Sequence, residues 1–220
     1  MTKIYTAIPS RKLSTDTHIY GNIAGDTAAK KYQRIIDDFV HNHTEYDWLN
    51  IIHEDAYMIS DPTGELSNLP EEVGVAGVIG SMFLGPTLQW WNNPPMLCAG
   101  HCLQGLIEPP YQRELREAGN PRSEKMATVD GFCMFLRRDF ASKIKMTDLG
   151  DTWHLYDVDI CLQAHLAGRR VSLIDVETFH RSPGLFDQAD FEAARKKFVE
   201  HWGNAVSNAV CIPFNLGVTK

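Results

Sequence analysis

The stretch Trp48-Leu-Asn-Ile-Ile-His-Glu-Asp55 decides the fold. Its first five residues form a short, largely apolar run without a helical period, bounded by polar residues, which is typical of a strand buried in a parallel sheet. The end of such a strand presents one or two side chains to the crevice above the sheet, and a carboxylate there suits Mg²⁺ or Mn²⁺. Taken alone, however, His53, Glu54 and Asp55 fit a polar turn better than a binding site.

Strand and helix patterns alternate on both sides of this run. Further strands are predicted over residues 3–8, 18–23, 73–79, 127–136 and 171–176. Helices are predicted over residues 28–41, 157–167 and 189–202, the first of them capped by Asp26 or Thr27. This alternation predicts one α/β domain over residues 1–220, with a mainly parallel central sheet flanked by helices.

Residues 84–125 form the least regular part of the sequence. They contain six of the eleven prolines and the pair Trp90-Trp91, which suits either the core or stacking on a sugar or base. A long irregular segment in a compact domain is usually functional, so we predict a lid or acceptor loop here, with a short helix over 110–118. Residues 186–220 are predicted to form a C-terminal helix and tail.

Composition indicates an ordinary globular protein. The chain of 220 residues has 44% apolar residues, 22% charged residues and a formal net charge of −7, which does not favour nonspecific binding of polyanions. No stretch approaches the ~20 apolar residues that a membrane span needs, and the first residues do not resemble a signal peptide. We therefore expect no membrane span, a cytoplasmic location and reduced cysteines.

Three further sets of polar residues could carry chemistry. Asp157 and Asp159 open a predicted helix, where carboxylates serve either as simple helix caps or as a general base. Asp130-Gly131 interrupts an apolar run, so the carboxylate must form a structural hydrogen bond or face a cleft. His180 follows the predicted strand 171–176. A lone histidine is seldom a ligand, but Asp55 at an adjacent strand end makes a shared metal site plausible.

Other motif searches exclude several classes of protein. Cys98, His101 and Cys102 are potential zinc ligands, but no second pair follows at zinc-finger spacing, so a zinc site is not favoured. The sequence contains no Walker loop, no Gly-x-Gly-x-x-Gly and no Gly-x-Ser-x-Gly motif.

Taken in order, the pieces between residues 46 and 182 resemble glycosyltransferase family 2 within the GT-A fold, and most closely its bacterial and phage branch. The resemblance is carried by Asn50-Ile-Ile-His-Glu-Asp55, Val73-Gly-Val-Ala-Gly-Val-Ile-Gly80, Val129-Asp-Gly-Phe-Cys-Met-Phe-Leu-Arg-Arg138, Trp153-His-Leu-Tyr-Asp-Val-Asp-Ile-Cys-Leu162, Ala167-Gly-Arg-Arg-Val171 and Phe179-His180. It implies a GT-A-like domain whose N-terminal, nucleotide-binding part is shortened.

The resemblance also implies metal and donor residues. His53-Glu54-Asp55 stands where the family has its Asp-x-Asp motif, so Asp55 and His53 are implied metal ligands, and His180 matches the histidine that completes the site. The cofactor would be Mn²⁺ or Mg²⁺. Glu54 and Asp55 would face the nucleotide sugar.

Further roles follow on the acceptor and nucleotide sides. Asp157 matches the catalytic base of inverting members. The residues implied to bind the acceptor are Asp130, Gly131, Trp153 and Asp159, of which Asp159 is either structural or acceptor-orienting. After the first strand, the predicted nucleotide contacts are Pro9, Ser10 and Arg11.

The resulting prediction is a hexosyltransferase-like enzyme that moves a sugar from a nucleotide sugar, most often UDP-linked, to an acceptor hydroxyl in a bacterial cell or phage-infected host. The acceptor would be a glycan or a modified base in phage DNA. A DNA acceptor would need a basic groove, for which Arg137, Arg138, Arg169 and Arg170 are the candidates. Two alternatives stay open, a metal-dependent nucleotide-sugar hydrolase and a degenerate nucleotide- or sugar-binding module.

Overall fold

Two mixed sheets organise the protein. The computed structural model describes residues 2–10, 19–21, 23, 26–105, 114–118 (as backbone), 125–182 and 187–203. The strands are β1 (Ile4–Pro9), β2 (Ile19–Tyr20), β3 (Trp48–Ile52), β4 (Ala56–Met58), β5 (Val73–Gly77), β6 (Ile79–Ser81), β7 (Cys98–Gln104), β8 (Glu114–Ala118), β9 (Thr128–Val129), β10 (Cys133–Arg137), β11 (Arg170–Leu173) and β12 (Thr178–His180). The helices are α1 (Ala28–Asn42), α2 (Thr63–Ser67), α3 (Arg138–Ala141), α4 (Tyr156–Leu166) and α5 (Gln188–Trp202), with 3₁₀ turns at Trp90–Asn92 and Pro95–Leu97.

The main sheet has the strand order β11-β5-β10-β3-β1-β2. The β1–β2, β1–β3 and β5–β11 pairs are parallel, whereas β10 is antiparallel to both β3 and β5. Five of its six strands therefore run in one direction. Together with the flanking helices, this confirms the predicted α/β fold with a mainly parallel sheet.

The second sheet has the order β4-β12-β7-β6-β9, with β8 paired to β7. Among the described strands, the chain passes from the main sheet into this one between β3 and β4, between β5 and β6 and between β11 and β12, and it returns between β4 and β5 and between β9 and β10. At this seam the strands lie unusually close. A side chain on Gly80 would overlap the backbone of Thr128, so only glycine permits the approach there.

Helices α1 and α4 cover one face of the main sheet. On α1, Tyr32, Ile35, Ile36 and Phe39 are fully buried at three- and four-residue steps, as the sequence predicts. Thr27 caps this helix, because its hydroxyl accepts the backbone N–H of Lys30 at 3.3 Å. The other face of the sheet is also buried, which explains the continuous apolar run in β3.

Part of the segment 84–125 is regular, contrary to the sequence prediction. Strand β7 lies within the second sheet, paired with β6, β8 and β12, and the predicted helix over 110–118 is wrong because Glu114–Ala118 is strand β8. Trp90 is buried in the core, whereas Trp91 is 37% exposed. A lid role for the rest of the segment stays a prediction. In the C-terminal segment α5 ends at Trp202, and residues 204–220 lie outside the described residues.

Arg138 fastens α1 to the main sheet. Its guanidinium lies 4.1 Å from the centre of the Phe39 ring and donates hydrogen bonds to the carbonyls of Phe39, Val40 and His43 at the end of α1. A fourth bond goes to the carbonyl of Tyr46 at 2.5 Å. The Phe39 and His43 carbonyls also accept the backbone N–H groups of His43 and Tyr46, so the arginine adds a charged donor that caps the C-terminal end of α1.

We expect Arg138→Leu to lower the free energy of unfolding by about 2 kcal/mol, because several half-buried carbonyls lose their charged donor. Urea denaturation measures the change. Arg195→Leu is the matched control, since Arg195 forms only a surface pair with Glu192 at 2.8 Å and should cost a few tenths of a kcal/mol. Equal losses in the two variants would contradict the capping role.

Candidate active site

Three potential metal ligands meet at the seam between the two sheets. His53 and Asp55 follow β3, and His180 ends β12, which pairs antiparallel with β4. Asp55 Oδ1 lies 3.5 Å from His180 Nε2 and 4.0 Å from His53 Nδ1, and one ligand atom from each residue falls within 4.8 Å of the others. The structure thus brings together the three side chains for which the sequence predicted metal binding.

Phe132 holds both histidines in place. Its ring stacks on the His180 ring with 4.6 Å between the centroids and 7° between the planes, and its carbonyl accepts the backbone N–H of His53 at 2.9 Å. Burial by itself would raise the pKa of Asp55, but the hydrogen bond and the charge of His180 lower it below its usual value. Asp55 is therefore ionised at neutral pH, as a metal ligand must be.

The donor set fits a divalent cation. Two imidazole nitrogens and one carboxylate oxygen leave other coordination positions for water or a ligand, which is common in catalytic metal sites. Among the described residues, no other group of histidine, cysteine and carboxylate side chains has this geometry. In particular, Cys98 and Cys102 lie on the opposite face of β7 from His101, which lies 3.8 Å from Asp175, so the zinc alternative is wrong for these residues.

A pair of carboxylates lies next to this group. Asp157, in the first turn of α4, accepts the backbone N–H of Gly131 at 3.1 Å and that of Val158 at 2.8 Å. Asp130 accepts the N–H of Phe132 at 3.1 Å. Burial, together with the negative charge of Asp130, raises the pKa of Asp157 to about 7. A carboxylate with such a pKa is suited to proton transfer near neutral pH.

Asp159 has structural contacts, which is one of the two roles expected for it. It is fully buried and accepts hydrogen bonds from the backbone and hydroxyl of Thr147, from Gln163 and from the indole of Trp202. Its oxygens are thus occupied by donors within the protein. Asp159 therefore links α5 and the 147 loop to α4, and contact with an acceptor stays a prediction.

Trp153 and several unpredicted residues surround the carboxylate pair. Trp153 packs edge-on against Tyr32 at 6.1 Å, and the buried ammonium group of Lys31 lies 4.7 Å from its ring centre. The Tyr156 hydroxyl lies 2.6 Å from His53 Nε2. Sequence reasoning missed Lys31, Phe132 and Tyr156 as site residues, although Phe132 and Tyr156 directly adjoin residues that it singled out. Acceptor binding by Trp153, Asp130 and Gly131 stays a prediction.

The predicted nucleotide contacts cluster at the end of β1. The Ser10 hydroxyl donates to Glu54 Oε2 at 2.6 Å, and the Ser10 carbonyl accepts a hydrogen bond from Lys31. Pro9 and Ser10 are buried, whereas Glu54 is exposed. Arg11 lies outside the described residues. Contact of these residues with a nucleotide therefore stays a prediction, but Ser10 and Glu54 do meet.

The arginines expected to line a DNA groove lie elsewhere. Arg137 pairs with Trp48 at the start of β3 and donates to the carbonyls of Leu69, Pro70 and Val73. Arg169 binds Asp139 at 3.0 Å. These arginines and Arg138 cluster at the amino ends of β3 and β5. The candidate site lies at the carboxyl end of β3, so the arginines are at the opposite end of the strands of the main sheet. The arginines therefore do cluster, but away from the candidate site, and a DNA acceptor stays a prediction.

The α/β fold thus places a group of potential metal ligands at a strand end beside a carboxylate at a helix start, an arrangement typical of an enzyme active site. A family model described as a glycosyltransferase-like family matches residues 29–202, most of the chain. The chain therefore belongs to this glycosyltransferase-like family. Membership indicates, at a coarse level, a transferase with a nucleotide-sugar donor and an acceptor.

Two solved structures resemble this fold. A protein of the virus STIV called A197 is 16% identical, with a TM-score of 0.50, over 85% of this chain and 87% of that one, and it supports the fold alone. A putative glucose-1-phosphate thymidylyltransferase from Bacillus anthracis, in complex with a sucrose, is 13% identical, with a TM-score of 0.34, over 92% of this chain and 67% of that one. A search of curated proteins found no match. No helix in the described part of the chain has the length and apolar character to cross a membrane.

Gly131 has no room for a side chain, because a Cβ atom there would overlap the Tyr156 hydroxyl. We expect Gly131→Ala to lower the free energy of unfolding by about 1–3 kcal/mol, since buried Tyr156 would have to move. Gly64→Ala is the matched control. A Cβ at Gly64 meets open space, and alanine favours the helix α2, so this variant should be neutral or slightly more stable. Chemical denaturation compares the two, and a neutral Gly131→Ala would contradict the packing argument.

Proposed function

We propose that the protein is a divalent-metal-dependent, inverting glycosyltransferase that uses a nucleoside-diphosphate sugar, with UDP as the first nucleotide to test. The observation that carries this proposal is the placement of Asp157 beside the His53, Asp55 and His180 group in a chain of the glycosyltransferase-like family. Such an enzyme needs a site for the donor diphosphate and a base for the acceptor hydroxyl. In this proposal the His53, Asp55 and His180 group serves the diphosphate, and Asp157 serves as the base.

The ligand group supports the donor half of the reaction. His53, Asp55 and His180 would hold the cation, and two imidazoles among three donors favour Mn²⁺ over Mg²⁺, which prefers oxygen ligands. A bound cation would neutralise negative charge on the donor diphosphate. Glu54, exposed at the same strand end and held by Ser10, would border the nucleotide sugar.

Asp157 supports the acceptor half of the reaction. Its carboxylate would take the proton of the acceptor hydroxyl while that oxygen forms the new bond to the anomeric carbon of the sugar. The bond from this carbon to the diphosphate oxygen breaks, and its electron pair leaves with the nucleoside diphosphate. Asp130 raises the basicity of Asp157 and would border the acceptor. We propose a glycan acceptor, because the arginines that a DNA acceptor would need lie at the end of the main sheet away from the candidate site.

We expect Asp157→Asn to lower kcat by about 100-fold to 10,000-fold, because the amide cannot accept the acceptor proton. Nucleoside diphosphate release is measured with a panel of nucleotide sugars, glycan acceptors and Mn²⁺, and donor binding is measured by calorimetry. Donor affinity should stay within about twofold of wild type, since Asp157 lies outside the metal group.

The matched control is Asp151→Asn, at an exposed carboxylate in the loop before α4, which should keep full activity. Full activity in Asp157→Asn would overturn the assignment of the base. Release that does not depend on any acceptor would favour a nucleotide-sugar hydrolase instead.

The pH profile gives an independent test of the base. Asp157 must be ionised to take a proton, so kcat/KM should rise with pH and level off above an apparent pKa of about 7. Asp130→Asn removes the nearby negative charge that opposes ionisation of Asp157, so the rise should move to lower pH. A rise that stays in place in Asp130→Asn would assign it to another group, such as a histidine.

A further inference from the structure

The Tyr156 hydroxyl joins the two halves of the candidate site. It lies 2.6 Å from His53 Nε2, on the side of the imidazole ring away from Asp55, which faces Nδ1 at 4.0 Å. The same hydroxyl lies against Gly131, whose N–H is bound by Asp157. One buried side chain thus touches both a potential metal ligand and the turn that carries Asp130 and donates a hydrogen bond to Asp157.

The surroundings of Tyr156 leave it little freedom to move. The residue is 6% exposed, and its ring stacks on the Tyr32 ring with 4.1 Å between the centroids and 16° between the planes. It opens α4 directly after Leu155, which has a left-handed backbone with φ of 65°. Since α4 and the packing of α1 both fix the ring, the hydroxyl occupies a defined position against which His53 must orient.

The hydrogen bond selects one state of the imidazole. A histidine that binds a cation through Nδ1 carries its proton on Nε2, and this N–H needs an acceptor. The Tyr156 hydroxyl oxygen is the partner that the structure provides at Nε2, so it can accept this N–H. Without it, the ring could rotate or present the protonated nitrogen to the cation, and both changes weaken binding.

We propose that Tyr156 is a positioning residue that orients His53 and fixes its proton on Nε2, so that Nδ1 faces the cation together with Asp55 and His180. The inference rests on the metal site of the proposed function and adds a residue that acts through His53. It also explains why Gly131 has to be a glycine, since any side chain there would displace the hydroxyl that orients the metal ligand.

The test measures Mn²⁺ binding to the full chain without nucleotide, by electron paramagnetic resonance of the free ion. Tyr156→Phe keeps the stacked ring and removes only the hydroxyl, and we expect the Mn²⁺ dissociation constant to rise about 10- to 100-fold. The visible spectrum of the Co²⁺-loaded protein should change in parallel, because one ligand is reoriented. Tyr5→Phe is the matched control. It removes another buried hydroxyl, 3.1 Å from that of Tyr20, and should leave Mn²⁺ affinity unchanged.

A double-mutant cycle with His53→Ala separates positioning from general damage. In the His53→Ala background, Tyr156→Phe should have no further effect on Mn²⁺ affinity, and an equal further loss would overturn the proposal. Unchanged Mn²⁺ affinity in Tyr156→Phe, when His53→Ala does weaken binding, would also overturn it while leaving the metal site intact. If His53→Ala binds Mn²⁺ as well as wild type, the metal site of the proposed function fails, and the role of Tyr156 fails with it.

Discussion

The turn Asp130-Gly131-Phe132 is the constraint on which the rest of the site depends. It carries the chain from the second sheet back into the main sheet, and this return makes β10 the antiparallel strand between β3 and β5. The N–H of Gly131 donates a hydrogen bond to Asp157, and the carbonyl of Phe132 accepts the backbone N–H of His53. Because the turn contacts His53, His180 and Asp157, its position determines how these three side chains are placed relative to one another.

Two carboxylates in one helical turn show how surroundings decide chemistry. Asp157 and Asp159 are two residues apart, and burial raises the pKa of both. Asp159 is compensated by four hydrogen bonds and serves as a structural link between α4, α5 and the 147 loop. Asp157 is instead opposed by the neighbouring charge of Asp130, which leaves it ready to take a proton. The two carboxylates thus have different roles. Asp157 stands beside a like charge, at the position where a base is useful, whereas Asp159 stabilises the helix through its hydrogen bonds.

Much of the fold followed from the sequence, because its signals were local. The apolar run of β3 and the helical periods of α1, α4 and α5 report burial directly, and the polar residues after β3 lie where strand ends meet. Strands β7 and β8 gave no such signal. Their mixed polarity and the prolines in the sequence around them resemble a loop, and they are strands because β7 pairs with β6 and β12, which are distant in sequence, and with β8.

The sequence by itself determined which residue types stand at the ends of the strands, and hence the candidate ligands His53, Asp55 and His180. Only the tertiary structure decided which carboxylate of α4 faces the site. It also decided that Arg137 and Arg138 donate to backbone carbonyls at the opposite end of the main sheet. It alone placed the Tyr156 hydroxyl on His53. The physical reason is that residue type and periodicity report whether a side chain is buried, whereas its partner depends on how distant elements pack, which neighbouring residues do not encode.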